Sequence, residues 1–82
     1  ILLEKERALL LFITRRYDKA IKAFQDLCKK YPAHEAESLY YQGKIYLKIG
    51  MEREGRRKFK ELVERYPNSP FTELVYEYSL LR

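Results

Sequence analysis

Few side chains in this sequence could make or break bonds, and those few do not converge. His34 is the only histidine and Cys28 the only cysteine, with no second imidazole or thiol at metal-ligand spacing. A lone imidazole lacks the partners that metal or acid–base work needs, so His34 reads as a solvated corner or helix-start residue. Cys28 falls on an apolar helical stripe, where a free thiol acts as a small core hydrophobe. The three glycines are isolated, so no glycine-rich loop cradles a phosphate. Glu52, Glu54, Glu61 and Glu64 mingle with Arg and Lys at helical spacing and read as solvated ion pairs. The expectation is a protein without catalytic residues, metal or cofactor.

Contact chemistry is what remains. Arg53, Arg56, Arg57, Lys58 and Lys60 form a basic run that could grip phosphates. The interleaved glutamates dilute it, and helix rotation turns Lys58 away from Arg57. It reads as a solvated outer face, and nucleic-acid binding ranks last among the functions considered. The aromatic content is different in kind: eight Tyr and four Phe with no Trp. Tyrosine brings large area at small entropy loss, which suits it to recognition surfaces. Packing of helix against helix is the competing use of the same rings.

Eighty-two residues hold one small domain, too small for a deep pocket with a lid. Seventeen Lys+Arg against twelve Asp+Glu give +5, and 46% hydrophobic with 35% charged residues predicts a folded, soluble chain. The longest apolar run is Ala8 to Ile13, far short of the ~18 residues of a membrane span, so no membrane insertion is expected. The chain begins at Ile1 with no basic-then-apolar leader and is expected to be a piece of something longer.

Pro32 and Pro67 each follow a tyrosine and end a long periodic run, marking inter-helix corners. Gly50 follows an apolar run and suits a left-handed helix stop. Ser69-Pro70 reads as a capping hydroxyl followed by proline at the first helical position. These marks predict helices over residues 2–14, 17–30, 35–49, 52–65 and 70–82. The second has one apolar stripe, Tyr17, Ala20, Ile21, Phe24, Leu27, Cys28 and Tyr31, and the fourth repeats it with Gly55, Phe59, Leu62, Val63 and Tyr66. The first, third and fifth are apolar over most of their surface and so need neighbours on more than one side.

Sliding the chain on itself gives an offset of 35 for Phe24 and Phe59, Leu27 and Leu62, Tyr31 and Tyr66, and Pro32 and Pro67. Ala8 with Gly43 and Ala20 with Gly55 follow the same offset, small with small. A hairpin of this size cannot bury its apolar face alone, and stacked copies bury one continuous core.

On these residues the chain resembles the tetratricopeptide repeat family. The second unit carries its pattern as Leu39, Gln42, Gly43, Tyr46, Gly55, Phe59 and Pro67. The first carries it as Glu4, Arg7, Ala8, Leu11, Ala20, Phe24 and Pro32, with departures in its first helix. A third unit starts with Val75-Tyr76 where Leu39-Tyr40 stood and Ser79 where Gly43 stood. The resemblance implies an all-α, right-handed α-solenoid of antiparallel helix pairs, with repeats over about 1–34 and 35–69 and a partial repeat or capping helix over 70–82. It assigns repeat packing to Ala8, Ala20, Phe24, Pro32, Gly43, Tyr46, Gly55, Phe59, Pro67 and Ser79. It also implies a scaffold that holds a peptide or partner protein in a concave groove lined by the first helix of each pair. That role falls to Lys5, Leu9, Phe12 and Ile13 of the first helix, to Glu37, Tyr40, Tyr41, Lys44, Leu47 and Lys48 of the third, and to Tyr76 of the fifth. In one subgroup a basic and asparagine clamp grips a C-terminal carboxylate. Lys5 matches its first position, but Leu9 and Lys44 stand where asparagines belong, which argues against that ligand.

A structural alternative is self-association through apolar ends, Leu2, Leu3 and Phe12 on one side and Val75, Tyr78, Leu80 and Leu81 on the other, since neither end has a polar outer face. Leu39-Tyr40-Tyr41-Gln42-Gly43 and Tyr66-Pro67-Asn68-Ser69-Pro70 resemble repeats of bacterial cell-envelope proteins, of the Tol-Pal-associated and outer-membrane-assembly kinds. That resemblance implies an envelope or periplasmic location, with the cytoplasm as the other reading.

Overall fold

Two corners 35 residues apart close in the same way. Helix α1 (Leu2–Ile13) ends where Arg15 enters the left-handed region at φ 63°, and helix α3 (Glu35–Lys48) ends where Gly50 does so at φ 86°. At the first corner the Arg15 N–H donates to the Phe12 carbonyl at 3.1 Å and the Arg16 N–H to the Leu11 carbonyl at 2.9 Å. At the second, Gly50 donates to Leu47 at 3.2 Å and Met51 to Tyr46 at 2.8 Å. This paired bonding satisfies carbonyls that a helix end otherwise leaves open. It also stops each helix one residue earlier than the sequence suggests, at Ile13 and Lys48 rather than at 14 and 49.

The computed structural model describes the backbone of residues 2–81 and the side chains of residues 3–78. After each corner comes an amphipathic helix, α2 (Tyr17–Lys30) and α4 (Glu52–Arg65). Each buries one stripe, Ala20, Phe24 and Leu27 in α2 and Gly55, Phe59 and Leu62 in α4. Both close on a tyrosine C-cap, Tyr31 and Tyr66, with basic residues in the last turn opposite the negative end of the helix dipole. A 3-10 turn (Pro32–His34) leads into α3. Before α5 (Pro70–Leu81), Ser69 Oγ accepts the Phe71 N–H at 3.1 Å, which is the cap expected from Ser69-Pro70. No strand occurs among the described residues. The chain is a helical repeat solenoid.

The core shows why neither hairpin stands alone. The first cluster joins Ala8 of α1 and Ala20, Phe24 and Leu27 of α2 to Ile45, which comes from α3. The second joins Leu39 and Tyr40 of α3 and Phe59 and Leu62 of α4 to Val75, which comes from α5. Each pair is therefore completed by the first helix of the next one. Burying side chains such as Phe24, Ile45 and Leu62 contributes about 1.5–3 kcal/mol each.

Small residues set the helix spacing. A Cβ on Gly43 would lie 2.4 Å from Phe59 Cε1, and one on Gly55 would lie 2.9 Å from the Gly43 carbonyl. Between the pairs, Ser38 Oγ of α3 donates to the Phe24 carbonyl of α2 at 2.6 Å, while Gln42 Nε2 donates to Ser38 Oγ at 2.8 Å. The Gln42 Oε1 is buried and accepts no hydrogen bond from the described residues.

The opposite ends of the pairs are tied by a second recurring set. Lys30 Nζ donates to Glu4 Oε1 at 2.9 Å and Tyr31 Oη donates to the same oxygen at 3.4 Å. One unit on, Arg65 and Tyr66 hold Glu35, with Arg65 Nη2 2.8 Å from its Oε1. The expected packing set is corrected at three places. Pro32 and Pro67 are exposed and turn the chain rather than fill the core, and Tyr46 is only half-buried. The side chain of Ser79, like residue 82, lies outside the described residues.

Candidate functional site

Helix α1 meets α3 through three contacts that also shape the surface between them. Near the helix starts, Lys5 Nζ lies 3.1 Å from Glu37 Oε1, and His34 Nδ1 lies 3.6 Å from the same oxygen. Glu37 is buried in this pair, so it positions Lys5 rather than facing a ligand. In the middle, the Tyr41 ring stacks on Phe24 with centroids 5.1 Å apart and meets Phe12 edge-on at 5.5 Å. Towards the helix ends, Lys44 Nζ sits 5.5 Å from the Phe12 centroid and 5.2 Å from the Tyr40 centroid, an arrangement favoured by the electron-rich ring faces.

Several of the groove candidates prove to be packed. Tyr40 is 8% exposed and touches Phe59 and Phe71, because α5 brings Phe71 over it. Burial raises its hydroxyl pKa, with smaller contributions from Tyr78 and Glu77, and burial likewise raises that of Tyr41. Leu47 packs against the second cluster beside Gly55. Open surface is left at Ile13, 70% exposed, at Tyr76, 54% exposed, and at Lys48, with Lys5, Leu9, Phe12 and Lys44 half-buried.

The expected apolar ends are corrected in part. Leu3 is exposed, but Phe12 lies against Tyr41, Val75 is core, and Tyr78 packs edge-on to Phe59. The side chains of Leu2, Leu80 and Leu81 lie outside the described residues. An open groove of about 740 Å³ runs between α4 and α5, lined by Leu47, Phe59, Val63, Val75, Tyr76 and Tyr78 together with Arg56, Lys60 and Glu64. On the basic run of α4, Arg56 pairs with Glu52 at 2.6 Å and Arg57 with Glu54 at 3.9 Å. His34 faces Glu37 and Tyr31, and Cys28 Sγ donates to the Gln25 carbonyl at 3.3 Å. No group of metal-ligating side chains occurs among the described residues, and no described helix is long and apolar enough to cross a membrane.

Sequence reasoning did not single out the corner at residues 15–19. Arg15, Arg16, Tyr17, Asp18 and Lys19 line a shallow depression with Ile49 of the neighbouring corner. The 35-residue offset between Arg15 and Gly50 is the signal that could have placed it.

The family model described as Tetratricopeptide repeat matches twice, over residues 6–34 and 37–69. It matches the family as a whole and does not distinguish the cell-envelope subgroup. No curated protein and no solved structure matches the chain significantly.

Proposed function

Because the chain belongs to the tetratricopeptide repeat family, whose repeats generally mediate protein–protein interaction, we propose that it is a non-enzymatic scaffold that takes a peptide or a segment of a partner protein along α1, α3 and α5. One observation carries this reading. Once the two pairs have packed, Ile13 and Tyr76 keep large exposed apolar surfaces on helices whose other faces are used in the core. Lys44, held over the Phe12 and Tyr40 rings, and the exposed Lys48 add charge on α3 that can fix the orientation of a bound chain. The packed rings of Tyr40 and Tyr41 set the spacing of the helices beneath and give the face a rigid floor.

The test is partner capture with the immobilised chain. Ile13→Ser combined with Tyr76→Ala is expected to lose the captured protein while melting at nearly the wild-type temperature, since neither side chain is in the core. Arg57→Ser, on α4 rather than on α1, α3 or α5, is expected to keep it. Unchanged capture by the double variant overturns the reading.

A further inference from the structure

We infer that the corner between α1 and α2, together with Lys44 and Lys48 of α3, forms an electropositive end of this face that takes an acidic segment of the partner polypeptide. The inference rests on the function proposed above and adds the chemistry of what is bound. Arg15, Arg16, Lys19 and Lys48 are exposed, and with Lys44 they form no ion pair among the described residues. By contrast Lys5, Lys22, Lys30, Arg56, Arg57 and Arg65 each have a carboxylate within reach. Arg7, Lys29, Arg53, Lys58 and Lys60 also form no ion pair among the described residues; the corner differs in that three such cations, Arg15, Arg16 and Lys19, line one depression together.

Arg15, Arg16 and Lys19 share one depression, and two ring contacts connect it to Lys44. Ile49, next to Lys48, shares the depression of about 500 Å³ with Arg15, Arg16 and Lys19. Tyr17 also lines it, and its ring centroid is 6.3 Å from that of Phe12, the ring over which Lys44 is held. Asp18 is the one acid lining the depression. Clustered cations over a low-dielectric floor of rings raise the local concentration of an anionic ligand and orient it. Carboxylates spaced along a peptide match this pattern, and the aromatic floor accepts its apolar side chains. Arg and Lys could also hold phosphates, and the family's general use in protein interaction favours the peptide.

Fluorescence anisotropy with the full chain tests this, using three labelled probes: a peptide alternating Glu and Ala around one Phe, its Lys-for-Glu counterpart, and a thymidine oligonucleotide of similar length. Two charge reversals of equal size are compared, Arg16→Glu with Lys19→Glu at the corner, and Arg53→Glu with Arg57→Glu on α4. The acidic peptide is expected to bind at moderate salt and to weaken about tenfold with the corner pair but less than about threefold with the α4 pair. Lys44→Gln should weaken it by several-fold while circular dichroism stays wild-type. Equal loss from both pairs, no binding of the acidic peptide, or tighter binding of the oligonucleotide with the same corner dependence each overturns the inference. If Ile13→Ser with Tyr76→Ala abolishes partner capture while the corner pair leaves it intact, this inference fails and the broader proposal stands.

Discussion

Replacing Gly43 with alanine sets two effects of opposite sign against each other. Alanine is about 1 kcal/mol better than glycine inside a helix, so propensity alone predicts a gain. The packing predicts a loss. The new Cβ would lie 2.4 and 2.5 Å from two Phe59 ring carbons and 3.2 Å from the Gly55 carbonyl. Carbon atoms pack best at 3.5–4.0 Å, so the ring must retreat by about 1 Å. It has little room: Phe59 is 8% exposed, and its centroid is 6.2 Å from Tyr40 and 6.0 Å from Tyr78. Overpacking of this kind costs about 1–3 kcal/mol, leaving a net loss of up to about 2 kcal/mol once the propensity gain is subtracted. For a domain of this size each kcal/mol moves the melting temperature by about 4–8 °C. Thermal melts followed at the helical dichroism band should therefore show Gly43→Ala several degrees below wild type. Adding Phe59→Leu should cost less in the Gly43→Ala background than in wild type, because the obstructing ring is already gone. A melting temperature raised by alanine would refute the close-packed crossing of α3 and α4.

Other perturbations follow from single contacts. Gln42→Leu removes a buried acceptor that has no partner among the described residues but also the Nε2 bond to Ser38, which keeps its own bond to Phe24; a net stabilisation of at most about 1 kcal/mol is expected in urea titration, and a loss of that size would contradict it. Arg15→Gly relieves a left-handed backbone and should stabilise by up to about 1 kcal/mol, whereas Gly50→Ala should destabilise by a similar amount; equal responses would count against the matched corners. Acid should weaken the fold: the hydrogen bond and charge of Lys30 hold the Glu4 carboxyl below its ordinary 4.5, so its contribution is complete above that value and is lost as pH falls through the lowered pKa. Alkali acts with the opposite sign. Tyr66, raised above 10.0 by its bond to Glu35, and Tyr40 and Tyr41, raised by burial, contribute stability up to about that pH and lose it as they ionise above; pH-jump melts on Tyr66→Phe should show a smaller alkaline loss.

The helices were legible because each carries its own stripe and its own punctuation. Phe24, Leu27 and Tyr31 against Phe59, Leu62 and Tyr66 reveal the template without any coordinates, and Pro70 after Ser69 fixes the start of α5. The break between residues 14 and 17 was legible, but the left-handed turn at Arg15 was not, since it forms without the glycine that advertises the same turn at Gly50. The site was less legible still. Tyr40 looks like a groove residue by register, but Phe71 covers it, and that contact depends on how α5 is placed. The ties from Glu4 to Lys30 and from Glu35 to Arg65 span 26 and 30 residues, beyond the reach of any local pattern. For the same reason local patterns do not bring Ile49 to the corner, although Arg15, Arg16 and Lys19 stand together in the sequence.

The account depends most on which face of the stack meets other proteins, and site-specific photo-crosslinking reads that directly. With a photoreactive residue in place of Ile13 or Tyr76, the protein should form adducts with a partner, and the same residue in place of Arg57 on α4 should not. Adducts from the α4 position alone, or in equal yield from every position, would contradict it.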